Sequence, residues 1–356
     1  MRKNLLIITT HQFGYHTDYL NWCKFLVDEY NIIYLTMKES NKVDVILDGV
    51  DVINIPYSKN IIKRLYKYIK EIQLLLKNNI FTNIIVTEQL FSIILRPFIP
   101  SKGLIFDIRS VAVFNNKTNR LIYDFSYKLC TIFYPYCTGI TQSIADFYKV
   151  KNNKFSVLPL GSNIISETNK SFEKFHLLYI GSLRNGFEET IIGFAHFHKE
   201  HPESTYTIIG LNAYHNIDTE SIIKKNIFQH DLQNHVHFLG RLHHDEAKHY
   251  FDTCNIGVSY IPMTTFFDNQ PPTKNFEYLL SGMVCIATST SANKKIITNS
   301  NGVLINDNSN SFAEGLKELW TRRTKYDSKS IVDSQMHNTW EFIVQNILKN
   351  ILIKRA

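Results

Sequence analysis

The sequence predicts an α/β protein built as two doubly wound, Rossmann-like domains, and three observations carry that expectation. The chain has 356 residues, more than one core of ordinary size holds and suited to two domains of about 150–200 each. Short apolar runs alternate with helical stretches, the pattern of a parallel sheet covered on both faces. After a polar, irregular stretch over 163–175 the same alternation starts again. The expected division is an N-terminal domain over 1–168, a C-terminal domain over 169–338 and an amphipathic closing helix over 339–356.

Residues 5–9 form the first strand. The apolar run behind Met1-Arg2-Lys3-Asn4 is too short for the core of a signal peptide, and His11-Gln12 follows at once. A loop over 10–16 then opens a helix over 17–29. Runs at 32–36, 52–55, 83–87 and 103–107 are further strands, with helices near 60–78 and 118–133. In such sheets ligands bind beyond the carboxyl ends of the strands. Gly14 and His16 after the first strand, Glu88 after a later one, and Asp107 and Arg109 after another are therefore the candidates on this side.

The charge is unevenly placed. Residues 1–168 carry 20 Lys and Arg against 13 Asp and Glu, and the remainder carries 19 of each, so the whole formal charge of +7 lies in the first half. Much of it sits in a basic amphipathic stretch, where Ile61, Ile62, Leu65, Tyr68, Ile69, Ile72, Leu75 and Leu76 keep a helical period beside Lys59, Lys63, Lys67 and Lys70. Such a helix suits an anionic membrane surface, and it equally describes a solvated face. Nucleic acid is not expected, because no recognition motif accompanies the basic patch. The five cysteines are scattered and odd in number, with no Cys-x2-Cys pair. They read as reduced core thiols of a cytoplasmic protein. No apolar window of about 18 residues is long enough to span a membrane.

The second half opens with a strand over 176–180, the loop Gly181-Ser182-Leu183-Arg184-Asn185-Gly186 and a helix over 188–200. A strand, a glycine and a helix start favour phosphate, although one glycine is a weak signal. His235, His237, His243, His244 and His249 invite a metal, but no acidic or cysteine partner stands at ligand spacing, so no metal is expected. The most informative stretch runs from Pro271 to Thr288. Two prolines and Thr273, a plausible N-cap, begin a helix; Phe276, Leu279, Leu280 and Met283 form its buried stripe. Gly282 stops it before a short core strand. Lys274 and Glu277 lie in the first turns, where free N–H groups favour anions. The ammonium suits phosphate, and the carboxylate can accept two hydrogen bonds from a vicinal diol such as a ribose. The alternative is that both are ordinary helix-surface charges.

The run Pro-x-Lys-x-Phe-Glu-Tyr-x-x-Ser-Gly-x-x-x-Ile-Ala-Thr over 272–288 resembles the donor-site signature of GT-B glycosyltransferases, specifically the large retaining family 4, or group 1. The resemblance is motif-level over 176–345 and only architectural over 1–160. It implies two Rossmann-like domains facing across a cleft, with the last helix crossing back to the first. It also implies that Glu277 holds the donor ribose. The family's other glutamate falls at Asn269, where this chain has an amide, with Asp268 beside it. Where the family has Arg after the loop glycine and Lys before the next, this chain has Ser182 and Asn185. Arg184 is the candidate replacement for the diphosphate clamp. The strand and loop over 235–242 resemble the family's Val-x-Phe-x-Gly segment, which places Gly181, Ser182, Arg241, Leu242, Asn269, Thr273 and Asn275 at the donor.

What the resemblance implies is transfer of a hexose or N-acetylhexosamine from a nucleotide-diphosphate sugar to a glycan or polyprenyl-linked acceptor. That would serve surface polysaccharide synthesis, with retention and without a metal cofactor, at the inner face of the plasma membrane. A nucleotide-sugar 2-epimerase shares the architecture, and a non-catalytic relative would explain the replaced residues, so both stay open here.

Overall fold

The computed structural model describes residues 2–38, 43–112, 116–212, 218–264, 267–268 and 271–356; Asn269 lies outside them. The chain divides into two units, Met1–Leu160 with Trp340–Ala356, and Gly161–Thr339. Both are α/β with wholly parallel sheets.

The first unit holds β1 (Lys3–Ile8), β2 (Tyr30–Lys38), β3 (Val50–Pro56), β4 (Asn83–Thr87), β5 (Leu104–Ile108), β6 (Cys137–Gly139) and β7 (Phe155–Val157). They lie in the order β3-β2-β1-β4-β5-β6-β7, so the winding reverses between β1 and β4. Successive residues of a strand point to opposite faces, and here both faces are buried. Leu5 and Ile7 face one side, with the helix Thr17–Leu26; Leu6 and Ile8 face the other, with the helices Ile61–Asn78 and Lys117–Phe133. This explains why the strands read as near-continuous apolar runs.

The closing helix belongs to this unit. Helical backbone runs from Trp340 to Arg355, with a π-helical stretch over Val344–Leu348. Trp340, Ile343, Val344, Leu348 and Leu352 share the core of Leu5, Ile7 and Trp22. Two polar ties fix it: Gln345 Nε2 donates to the Phe25 carbonyl at 2.7 Å, and Asn83 Nδ2 to the Leu352 carbonyl at 2.9 Å.

The second unit holds β8 (His176–Ile180), β9 (Thr205–Ile209), β10 (Val236–Gly240), β11 (Ile256–Ser259), β12 (Val284–Thr288) and β13 (Gly302–Ile305). Their order β10-β9-β8-β11-β12-β13 puts a second reversal between β8 and β11. The two sheets, their helices and the returning C-terminal helix are those of the GT-B fold.

Three expectations change. The division falls after Leu160, not after residue 168, because the supposed linker is bound into the second unit. Ser162 N–H donates to the Asn338 carbonyl at 3.0 Å, Asn255 Nδ2 donates to the carbonyls of Ser171 and Lys174 at 2.6 Å, and Phe172 and Phe175 enter its core. Thr273 is the first residue of its helix rather than the N-cap; Pro272 takes that position, and no side chain caps the end. On the basic helix, Ile61 and Ile62 are exposed instead of joining the apolar stripe. Packing there begins at Leu65, and the buried residues are Tyr68, Ile72 and Leu75. All five cysteines are buried and unpaired.

Because Trp340 is 0% exposed at the centre of the first unit's core, Trp340→Ala should cost about 3–5 kcal/mol of stability. Chemical denaturation of the full chain measures it. A loss under 1 kcal/mol would mean that the last helix is not part of that core.

Candidate active site

In the second unit the polar residues gather at the reversal between β8 and β11, where open parallel sheets hold ligands. β8 ends at Ile180, and Gly181 takes φ +142°, a region L side chains rarely adopt. A Cβ there would stand 2.8 Å from Lys274 Nζ, so the glycine leaves room for the ammonium. Lys274 arrives from the helix Thr273–Leu280 and lies 3.9 Å from the ring centroid of Tyr179. Tyr179 is fixed in turn, its hydroxyl donating to the Ser182 carbonyl at 2.7 Å.

The helix itself is locked from below. Ile180 N–H donates to the Tyr278 hydroxyl at 3.0 Å, which donates to the Val258 carbonyl at 3.3 Å. One tyrosine therefore ties the ends of β8 and β11 to the helix between them. Burial pushes Lys274 down from the ordinary lysine value to about 7; Glu277 raises it and Arg184 lowers it further. Glu277 is half-buried one turn on, and the Arg184 guanidinium stands 4.6 Å from the ring centroid of Phe267. Lys274, Glu277, Arg184 and Gly181 are thus brought together.

Other candidates are not. Asn275 is fully buried, and its Nδ2 donates to Asn293 Oδ1 at 2.8 Å, so it braces the helix from inside. A side chain one position beyond Lys274 necessarily faces away from it on a helix. Ser182 is exposed and offers its carbonyl to Tyr179. Thr273 and Arg241 are exposed, while Leu242 packs on the core. Asp268 Oδ1 accepts from Ser291 N–H at 2.8 Å and so already holds a loop. Among the described residues no group of three His, Cys, Asp or Glu is placed to hold a metal.

In the first unit the candidates form two sets. Arg109 and Asp107 are enclosed, at 5% and 0% exposure. Arg109 Nε donates to Asp18 at 2.6 Å, and its terminal nitrogens to the carbonyls of Leu158, at 2.8 Å, and Pro159. A buried guanidinium needs such complete pairing, so Arg109 ties β5 to the segment after β7 and does not face a ligand. Asp107 Oδ1 accepts from Thr138 at 2.6 Å. Asp18 was missed in the sequence, although it stands in the first turn of the helix that His16 opens.

Glu88 and His16 lie nearer the surface. Glu88 accepts from Arg109 N–H at 3.0 Å; burial first, then the neighbouring Asp107, raises it to about 8, so it holds its proton at neutral pH. His16 stacks on Tyr19 with centroids 4.2 Å apart, and burial lowers it to about 4, leaving it neutral. Gly14 turns with φ +86° against Val45. Glu88 also lines a cavity of about 510 Å³ at the carboxyl ends of β1, β4 and β5.

Residues 162–330 match the family model described as Glycosyl transferases group 1. No curated protein matches this chain. Solved structures do. A glycosyltransferase from Rickettsia africae aligns at 13% identity with TM-score 0.76, and sucrose-phosphate synthase from Thermosynechococcus elongatus at 14% with 0.73, each over 100% of both chains. Anabaena HepE, solved with UDP and glucose, aligns at 14% identity and TM-score 0.73 over 98% of this chain and 99% of that one. WaaG, described as a glycosyltransferase involved in lipopolysaccharide biosynthesis, aligns at 14% and 0.61, covering 99% of this chain and 98% of WaaG. The chain has the GT-B fold of these structures, and its residues 162–330 match the group 1 glycosyl transferase family.

Proposed function

We propose that this enzyme takes a hexose or N-acetylhexosamine from a nucleotide-diphosphate sugar and transfers it, with retention, to a glycan or lipid-linked glycan. The observation that carries the reading is the Lys274 ammonium, held against the side-chain-free Gly181 with Arg184 and Glu277 beside it. The donor's diphosphate lies against Lys274 and Arg184, and Glu277 accepts from the ribose hydroxyls. The acceptor oxygen bonds to the anomeric carbon on the face from which the diphosphate leaves. The carbon–oxygen bond to the β-phosphate breaks, and a phosphate oxygen takes the acceptor's proton. Two cations meet the charge growing on the diphosphate, so no metal is needed. The UDP and UDP-glucose complexes of Anabaena HepE support a uridine nucleotide as the first donor to try.

We place the enzyme at an anionic membrane surface inside the cell, in surface-polysaccharide synthesis. The described residues contain no helix long and apolar enough to cross a membrane. The helix Ile61–Asn78 instead leaves Ile61, Ile62, Tyr66 and Leu74 exposed beside Lys63, Lys70 and Lys77, a mixed apolar and cationic face suited to lying on one. The relation of WaaG to lipopolysaccharide synthesis agrees with this assignment.

The test is release of nucleotide from a panel of nucleotide sugars with and without glycan acceptors, with the anomeric configuration of the product read by NMR. Glu277→Ala and Lys274→Ala should each lower kcat/KM at least about tenfold, since each removes a charge-assisted hydrogen bond. Near-normal values in both would sink the donor assignment. Conversion of the donor without any acceptor would mark an epimerase.

Lys274 also predicts a pH dependence. The free protein loses this charge above about 7, and the bound diphosphate restores it, so binding takes up a proton. UDP affinity should therefore fall as pH rises above about 7, approaching tenfold per unit, and Lys274→Arg should flatten the dependence. Calorimetry in buffers of different ionisation enthalpy measures both; a flat wild-type profile would remove Lys274 from the phosphate.

Vesicle co-sedimentation tests the membrane reading. Wild type should bind anionic but not neutral vesicles, more weakly in high salt, with each lysine near the surface contributing about 1 kcal/mol. Replacing Lys59, Lys63 and Lys67 together by Glu should release it. Equal binding by that variant would leave the helix a solvated face.

A further inference from the structure

The donor residues all lie in the second unit, and a transferase needs a second substrate. The cavity of about 510 Å³ in the first unit has the size of a small-ligand site, and it opens where the winding reverses between β1 and β4. Two of its side chains carry unmet hydrogen-bonding demand. Gln89 is 4% exposed, yet neither its Nε2 nor its Oε1 has a partner. A buried amide is costly in that state unless something supplies both a donor and an acceptor. A sugar hydroxyl supplies both from one atom.

The other is Arg64, the only Lys or Arg among the described lining residues. It comes from the basic helix, but its guanidinium turns over the Tyr57 ring at 5.5 Å, and its buried Nε has no partner. Glu88, the only carboxylate among the described lining residues, holds its proton and leaves the arginine's charge standing. A cavity with one unmatched cation favours an anion. Thr10 and Ser110 add hydroxyls, and the rings of Tyr123 and Tyr127 add apolar walls.

We propose that this cavity is the acceptor site and takes a sugar bearing an anionic group, its hydroxyl paired by the Gln89 amide and its charge by the Arg64 guanidinium. The proposal rests on the transferase reading and names its acceptor class. The anionic group has three sources: a sugar phosphate, a uronic acid, or a sugar diphosphate carried on a polyprenyl lipid.

The experiment uses the full chain saturated with UDP, so that the donor site is filled and its occupancy is measured separately. Glucose, glucose 1-phosphate, glucuronic acid and polyprenyl-diphosphate N-acetylglucosamine in detergent micelles are titrated in turn. At least one anionic sugar should bind, free glucose should not, and the arm that binds identifies the source. Arg64→Gln should weaken that binding at least about tenfold with UDP affinity unchanged. Gln89→Leu should weaken it too while unfolding no earlier than wild type, because leucine leaves no amide unpaired. If Gln89→Leu fails to fold, Arg64→Gln decides. The proposal is overturned if no anionic sugar binds, if glucose binds as well as the charged sugars, or if Arg64→Gln keeps wild-type affinity. Failure of UDP to bind wild type would instead strike the donor reading, and the sugar titrations would still report on the cavity.

Discussion

The second unit is organised around a cation placed where a side chain is missing. Lys274 Nζ occupies the space that a Cβ on Gly181 would need. Its burial costs hydration, which is why its proton is held weakly at neutral pH. Nothing about that position is cheap, and the surrounding structure supplies the support. The Tyr278 hydroxyl joins the ends of β8 and β11, Asn275 and Asn293 pair beneath the helix, and the Tyr179 ring lies against the ammonium. A cation so placed is destabilised until an anion arrives. Ligand charge then repays the desolvation, and the same geometry serves binding and the departure of a diphosphate.

The first unit solves its charge problem differently. Asp18, Asp107 and Arg109 are enclosed together, with Thr138 donating to Asp107 Oδ1 and two carbonyls accepting from the guanidinium, while Asp107 Oδ2 has no partner. The network fixes the carboxyl ends of the central strands. It also acts on Glu88, which lies just outside it and keeps its proton because burial disfavours the charge and Asp107 adds to that. The rim of the cavity thus carries a neutral acid and an arginine, although its residues formally include one charge of each sign.

Much of this was legible in the sequence, and the reason is local. Apolar runs of strand length fix parallel strands buried on both faces, and the restart after residue 175 fixes two units. The spacing of Phe276, Leu279, Leu280 and Met283 fixes the short helix, which in turn sets Lys274 and Glu277 one turn apart. These are properties of period and composition, so no partner need be known to read them.

Partnerships between distant positions arise only on folding. Asp107 and Arg109 follow a strand as a ligand-facing pair would, but Asp18, 91 residues away from Arg109, takes the guanidinium inward. Arg64 reads as one more lysine-like charge on an amphipathic helix, yet its side chain turns into a cavity built from loops after three strands. Gln89 has no motif at all; only its enclosure without partners marks it. The two α/β units and the helix that carries Lys274 and Glu277 follow from hydrophobic period, because that period acts between near neighbours. Which charges are spent inside the protein and which are left for a ligand depended on burial and pairing, and those exist only once the chain has folded.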